Sequence, residues 1–146
     1  MRDGKKVEFV ATGVIIEKGE ILLVHHKKLN LWLPPGGHIE ENELPNECVL
    51  REVKEETGFE VEVVNGIRNG TRGGAVSLPP PDWMQIEDIQ GTHWHLDMLY
   101  LCRIKHGTLK KSDESDDVRF FRLDEVNALN DTTDDVRYLA GLLLKR

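Results

Sequence analysis

Three glutamates lie close together on one predicted helix, and their spacing suits the binding of a divalent cation. At about 100° per residue, Glu52, Glu55 and Glu56 fall within about 100° of arc. Like charges at this spacing destabilise a helix by about 0.2–0.5 kcal/mol per pair, and the helix dipole disfavours acids in the last turn. A bound divalent cation offsets both penalties, because it neutralises the carboxylates. A set of carboxylate ligands without histidine or thiolate suits Mg²⁺ or Mn²⁺. The alternative is a solvated acidic face.

The residues on either side of these glutamates follow a fixed spacing. Five residues separate Gly37 from Glu43, seven more lead to Arg51, and the segment closes at Gly58 and Phe59. Residues 37–59 thus match the Nudix box, G-x5-E-x7-R-E-U-x-E-E-x-G-U, in which U is a bulky apolar residue. The matching positions are Gly37, Glu43, Arg51, Glu52, Val53, Glu55, Glu56, Gly58 and Phe59. Because so many fixed positions agree, the chain resembles the Nudix (MutT-like) hydrolase family.

The resemblance implies a fold and an activity. The fold is a Nudix-type α/β/α sandwich with a mixed β-sheet and a loop-helix-loop catalytic motif. The activity is Mg²⁺-dependent pyrophosphohydrolysis, with Mn²⁺ as a second metal, of a nucleoside diphosphate linked to another moiety, such as a nucleoside triphosphate or a nucleotide sugar. A non-catalytic Nudix domain that binds or senses nucleotides is the alternative. The complete box favours the enzyme.

The resemblance also assigns roles to residues of this chain. The expected metal ligands are the carbonyl of Gly36 and the carboxylates of Glu52, Glu55 and Glu56. Arg51 is expected to orient Glu52, and Glu43 to anchor the loop against the start of the helix. Gly37 and Gly58 are structural positions of the motif, and the glycines at 36 and 37 let the backbone approach a metal closely because they lack a Cβ.

The residue that takes the proton of the attacking water stays open. Glu52 is the first candidate, since relatives use a glutamate of the box. Glu114 is the second candidate, because relatives also use an acid from a distal loop, and Glu114 lies in the acidic segment 112–117 before a predicted strand. A solvated acidic turn is the alternative role for Glu114.

The elements that must position these residues can be placed from the hydrophobic pattern. Strands are predicted at residues 7–16, 21–24, 59–64, 93–104 and 118–123, the first two as a hairpin. Loops rich in glycine and proline are predicted at residues 31–37 and 65–92. The second is long for a small domain, which indicates a functional or mobile segment. The box helix should run from Leu44 or Pro45 to Gly58, and a last amphipathic helix should follow Thr132 or Thr133.

The pattern also predicts which side chains share a face. On the box helix, Val49, Leu50 and Val53 should face the core. On the long strand, His93, His95 and Asp97 alternate and should share one face, whereas Trp94, Leu96, Met98 and Tyr100 should share the other. The polar set is a candidate lining of the substrate cleft, or a set of hydrogen-bonded residues on a sheet face.

Composition limits the remaining possibilities. The chain has 146 residues, 26 acids, 19 bases and a net charge of −7, and it predicts a single domain over residues 1–146. The acid excess argues against a membrane surface or a long nucleic acid as partner and leaves a small nucleotide-type diphosphate as substrate. Two cysteines are too few for a disulfide framework, and no signal peptide or membrane span is visible, so we expect a cytoplasmic protein. A homodimer is compatible with the family.

Overall fold

The computed structural model describes residues 3–66 and 71–144, and within them a mixed sheet carries helices on both faces. The strands are β1 (Val7–Glu17), β2 (Glu20–His26), β3 (Leu31–Leu33), β4 (Gly36–His38), β5 (Phe59–Val63), β6 (Thr71–Arg72), β7 (Ala75–Val76), β8 (Trp83–Ile89), β9 (His93–Gly107) and β10 (Ser115–Phe121). The helices are α1 (Pro45–Thr57), α2 (Leu123–Ala128) and α3 (Asp134–Leu143).

The strand order in the large sheet is β10-β2-β1-β9-β5. Three shorter strands extend it, since β3 pairs with β2, β4 pairs with β1, and β8 pairs with β9. β1 runs parallel to β9, and the other pairings are antiparallel. The predicted α/β sandwich with a mixed sheet is confirmed, as is the hairpin of β1 and β2.

Each face of the sheet has its own core. One core contains Cys48, Val49 and Val53 of α1, packed with residues such as Ala11 and Tyr100. The other holds α2 and α3 through Val126, Val136, Leu139 and Ala140. The box helix α1 therefore lies on one face, and the C-terminal helices α2 and α3 lie on the opposite face.

The local signals at the ends of α1 explain why its bounds could be predicted. Pro45 occupies the first turn, where its missing N–H costs nothing, and the Glu47 carboxylate accepts a hydrogen bond of 2.9 Å from the Leu44 N–H. Gly58 ends the helix with φ at +83°, and its N–H donates to the Lys54 carbonyl at 3.0 Å. The predicted helix from Leu44 or Pro45 to Gly58 is confirmed.

The predicted burial of Leu50 is wrong. Leu50 is 39% exposed, whereas Cys48, Val49, Val53 and Thr57 are buried. The most covered rows of the helix are 49–53–57, which is buried, and 48–52–56, in which Cys48 is buried and Glu52 and Glu56 are half-buried. The apolar stripe alone does not reveal this rotation, since one covered row contains Glu52 and Glu56.

The two predicted loops contain strands. Residues 31–37 include β3 and the first residues of β4, and residues 65–92 include β6, β7 and β8, although residues 67–70 lie outside the described residues. β8 pairs antiparallel with β9 over Trp83↔Leu99 to Ile89↔His93. The prolines at 79–81 make the sequence predict a loop here. The strand is instead stabilised by pairing with β9, a partner that follows it in the chain.

The C-terminal elements differ from expectation in one place. β10 ends at Phe121 rather than at residue 123, because α2 begins at Leu123 and the Glu125 carboxylate accepts a bond of 2.8 Å from the Arg122 N–H. The last helix begins after Thr133, whose hydroxyl accepts a bond of 3.3 Å from the Val136 N–H. Of the two predicted caps, Thr133 is confirmed. No described helix has both the length and the apolar character to cross a bilayer.

Candidate active site

A cavity of about 250 Å³ lies between β4, the second half of α1 and the segment where β10 begins. Its lining includes four carboxylates from three parts of the chain, Glu40, Glu52, Glu56 and Glu114. The other lining residues are His26, Gly36, Gly37, His38 and Ser115. The structure therefore brings the distal acid, the glycine loop and two glutamates of the box together.

Strand pairing explains how Glu114 reaches the box. Ser115 pairs with His26 at the end of β2, and the Lys27 N–H donates to the Glu114 carbonyl at 3.2 Å. A register shift between Ser115 and Asp117 bends this end of β10. The loop that the sequence placed before a late strand is thus held at the rim of the cavity.

The two glycines of β4 are required by close packing. β4 pairs with β1, with Gly37 opposite Ala11 and Gly36 opposite Thr12. A Cβ at position 36 would lie 2.6 Å from the Ala11 carbonyl oxygen and 2.9 Å from the Thr12 Cα. A Cβ at position 37 would collide with the carboxylate of Glu52. The missing side chain at 37 is therefore what allows Glu52 to lie against the loop.

Arg51 connects the glutamates of the motif. Its Nε and Nη2 donate to the two oxygens of Glu43 at 2.7 and 3.0 Å, a bidentate pair. Its Nη1 donates to Glu52 at 3.1 Å and to Glu55 at 3.3 Å. Nη2 also donates to the His38 carbonyl at 3.2 Å, which ties α1 to β4. Part of the repulsion among the glutamates is thus offset by a cation that belongs to the motif itself.

Glu56 is held in a different way. Burial, followed by a hydrogen bond and repulsion from Glu52, raises the pKa of the Glu56 carboxyl to about 10, with a smaller contribution from Glu114. A backbone hydrogen bond at Gly36 opposes this rise. Burial and the neighbouring carboxylate therefore favour the neutral form of Glu56, and a bound cation would favour the charged form.

This donor set fits a hard divalent cation. Gly36, Glu52 and Glu56 line the cavity together with Glu40 and Glu114, so carboxylate oxygens dominate its potential ligands. The raised pKa of Glu56, caused by burial and by Glu52, is what uncompensated negative charge at this point produces. Glu55 is separate: its side chain is 58% exposed, and it does not line the cavity. Glu55 is linked to the cavity-lining glutamates through the Arg51 Nη1, which donates both to Glu55 and to Glu52.

The polar set on β9 lies elsewhere. Met98 and Tyr100 pack in the core against α1, so His93, His95 and Asp97 face the side of the sheet that carries α3. Asp97 is buried and accepts a hydrogen bond of 2.8 Å from the Thr12 hydroxyl. None of these three residues lines the cavity described above. Their shared face is confirmed, and they form no part of the carboxylate site.

The sequence does not assign four lining residues to the site, namely His26, His38, Glu40 and Ser115. Glu40 and His38 occupy variable positions of the motif, and Ser115 follows the predicted Glu114 directly, so their proximity to assigned residues is the available signal. His26 has no such signal, because the pairing of β2 with β10 brings it to the cavity.

Comparisons with known proteins place the chain among relatives of one family. A MutT-like protein of Streptomyces ambofaciens is 32% identical over 120 residues, which cover 81% of this chain and 65% of that protein. An ADP-ribose pyrophosphatase of Methanocaldococcus jannaschii is 30% identical over 125 residues, which cover 82% of this chain and 65% of the relative. The chain thus spans slightly less than two thirds of these two relatives.

A solved structure shows the same fold along almost the whole chain. It is a NUDIX family hydrolase from Clostridium perfringens, with a TM-score of 0.82 and 29% identity, and the match covers 94% of this chain and 95% of that one. The NUDIX domain profile matches residues 7–142 of the present chain. With the complete box and the cavity it borders, this match establishes that the chain belongs to the NUDIX domain family.

Proposed function

We propose that this protein is a Mg²⁺-dependent pyrophosphohydrolase that cleaves a diphosphate linkage in a nucleoside diphosphate joined to another moiety. The observation that carries the proposal is the meeting of Gly36, Glu52, Glu56 and Glu114 at one cavity, in a chain that carries the complete box. The family uses divalent metal and acts on small nucleotide-type substrates, which agrees with this set of oxygen donors. Mn²⁺ is the second metal to test.

Each residue has a distinct task in this proposal. Glu52, Glu56 and the Gly36 carbonyl would hold the cation at the cavity, and Glu55, which is exposed and bonded to Arg51, would complete the set from outside it. The cation would offset the charge of the diphosphate and make a water molecule more acidic. Arg51 keeps Glu52 in place through the bond of 3.1 Å between them. Glu56 gives up its proton when the cation binds.

The base that deprotonates the attacking water is either Glu52 or Glu114. Both line the cavity. The two candidates differ in their link to the cation, because Glu52 is also a proposed ligand. Glu114→Gln should therefore lower kcat and remove the acid limb of the pH–rate profile while Mg²⁺ affinity stays unchanged, if Glu114 is the base. A normal profile in this variant assigns the proton transfer to Glu52.

The substrate class follows from the family and one relative. The name ADP-ribose pyrophosphatase belongs to the Methanocaldococcus protein, and ADP-ribose is accordingly a first substrate to test. Nucleoside triphosphates and other nucleotide sugars complete the panel, with the nucleoside monophosphate product measured by ion-exchange chromatography in Mg²⁺ and in Mn²⁺. A cytoplasmic location and a homodimer stay predictions.

The test of the proposal replaces single carboxylates. Glu55→Gln and Glu56→Gln should reduce hydrolysis by at least about 10²-fold, because even outer-shell partners of a metal contribute about 10–100-fold. Glu62→Gln is the matched control, since Glu62 is exposed and pairs with Arg103 away from the cavity. If both box variants hydrolyse every substrate at the parental rate, the proposal is wrong. If the parent binds nucleotides and hydrolyses none, the alternative of a binding or sensor domain is supported.

A further inference from the structure

A second cluster of ligand atoms lies on the face of the sheet opposite to α1. Glu8 on β1, His38 on β4 and His95 on β9 each offer one ligand atom, and these atoms all lie within 4.8 Å of one another. The sheet register produces this meeting, because Glu8 pairs with His95, and His38 pairs with Val10 two residues further along β1. Residues far apart in the sequence thus converge on one point.

The distances within the cluster match those around a tetrahedral metal. The Glu8 Oε1 atom lies 2.8 Å from His38 Nε2 and 3.7 Å from His95 Nε2. His93 Nε2 lies 3.4 Å from the same oxygen and 3.2 Å from His95 Nε2. Ligands at 2.0–2.1 Å from a tetrahedral Zn²⁺ are separated by about 3.3 Å, which falls within the observed spread.

The chemistry of the donors selects a class of metal. Imidazole with one carboxylate suits Zn²⁺, Co²⁺ or Ni²⁺, whereas Mg²⁺ prefers oxygen ligands alone. We propose that Glu8, His38 and His95 form a second metal site for a divalent transition metal of this class, with His93 beside them as a further ligand. This site is separate in donor type from the carboxylate site of the box.

The surroundings of the cluster hold its ligands in position. The Thr92 hydroxyl lies 2.7 Å from His93 Nδ1, so it can fix the ring orientation that leaves Nε2 free to ligate. Lys6 Nζ lies 3.3 Å from the second oxygen of Glu8 and leaves Oε1 for the cluster. His95 is 19% exposed and His38 is 60% exposed, so an ion can enter from solvent.

The position of His38 links the site to the candidate active site. His38 follows Gly37 directly, and its carbonyl accepts the hydrogen bond from Arg51. An ion bound by the His38 side chain would therefore fix β4, which forms one wall of the carboxylate cavity. A bound ion should accordingly raise the melting temperature, because the unfolded chain lacks the site.

The test uses Co²⁺, whose visible absorption reports tetrahedral ligation, and Zn²⁺ measured by equilibrium dialysis. Excess Mg²⁺ is present throughout to occupy the carboxylate site. The full chain should bind one ion, and His95→Gln or Glu8→Gln should weaken binding by at least about tenfold and abolish the tetrahedral spectrum. His38→Gln is a second variant, chosen because so exposed a side chain contributes little to packing.

Two controls make the result decisive. His106→Gln removes another histidine of β9, which pairs with Glu60 at 3.4 Å and has no part in the cluster, so binding should persist. Glu56→Gln should also leave the Co²⁺ spectrum intact, since it alters only the carboxylate site. The proposal is overturned if the parent gives no tetrahedral Co²⁺ spectrum, if cluster variants bind as the parent does, or if Glu56→Gln abolishes binding. None of these outcomes bears on hydrolysis.

Discussion

Replacing Arg51 with glutamine should destabilise the fold more than the same replacement of an exposed arginine. The side chain donates to Glu43, Glu52, Glu55 and the His38 carbonyl, and its Nη1 lies 3.7 Å from a carboxylate oxygen of Glu40. The substitution therefore removes one cation from four acids. Glutamine keeps part of the length and polarity of arginine but neither its charge nor its bidentate fork. Glu43 and Glu52 then remain largely shielded from water without their cation.

The size of the effect follows from exposure. Breaking a buried ion pair costs about 3–5 kcal/mol, whereas an exposed pair is worth about 0–1 kcal/mol. The Arg51 side chain is 24% exposed and that of Glu43 is 13% exposed, so their pair lies nearer the buried limit. We therefore expect Arg51→Gln to lower the free energy of unfolding by about 2–4 kcal/mol, and Arg51→Lys by less, because it keeps the charge.

Urea unfolding in metal-free buffer measures this difference. Arg122→Gln is the matched control, because the Arg122 side chain is 60% exposed and its contact with Asp124 at 3.1 Å should contribute less than about 1 kcal/mol. A double-mutant cycle with Glu43→Gln isolates the coupling between Arg51 and its main partner. The reasoning is refuted if Arg51→Gln shifts the midpoint no further than Arg122→Gln does.

The pH dependence of the same pair has a defined sign. The Arg51 guanidinium lowers the pKa of the Glu43 carboxyl in the folded protein. Stability from the pair is therefore present above the pKa of an unfolded glutamate and is lost as the pH falls through the lower folded value. The parent and Arg51→Gln should converge in acid, and a difference that grows as the pH falls would contradict this account.

Three other predictions concern packing, thiols and metal removal. Gly37→Ala should change the free energy of unfolding by no more than about 1 kcal/mol, since the Glu52 side chain can move away, but it should abolish hydrolysis. Gly36→Ala should lower the free energy of unfolding in urea by about 1–3 kcal/mol, because the new Cβ would meet backbone atoms of β1. Burial raises the pKa of the Cys48 and Cys102 thiols to about 12, so mass spectrometry should find them unalkylated at neutral pH until the protein unfolds. Chelation of Mg²⁺ should lower the melting temperature, and no shift between chelator and millimolar Mg²⁺ would count against a preformed site.

The parts of this protein that the sequence predicts best are those specified by neighbouring residues. The start and end of α1 depend on Pro45, Glu47 and Gly58, all within or beside the helix. β8 is different, because its hydrogen bonds go to β9 and three prolines at 79–81, just before it, make the segment resemble a loop. The exposure of Leu50 is also non-local, since β4 determines which rows of α1 are covered.

The site shows the same division between local spacing and tertiary placement. The motif places Glu52, Glu55 and Glu56 on one side of a helix, but only the fold separates the exposed Glu55 from the cavity-lining pair and brings Glu114 to them. The motif also contains Arg51, yet its contacts to three glutamates depend on where the loop before α1 packs. Spacing can therefore assign chemistry to the segment, but not the protonation state of each acid.

The distribution of donor atoms explains why we propose two different kinds of metal site on one sheet. The acids of the box lie on the α1 face, where oxygen donors meet and the pKa of Glu56 is raised until a cation replaces its proton. On the opposite face, Glu8 meets imidazoles rather than carboxylates, because the β1, β4 and β9 registers bring His38 and His95 to it. β4 contributes to both faces, with Gly36 to the first and the side chain of His38 to the second. The donor types on the two faces favour different ions, so in excess Mg²⁺ the carboxylate site would hold Mg²⁺ while the histidine cluster holds a transition metal.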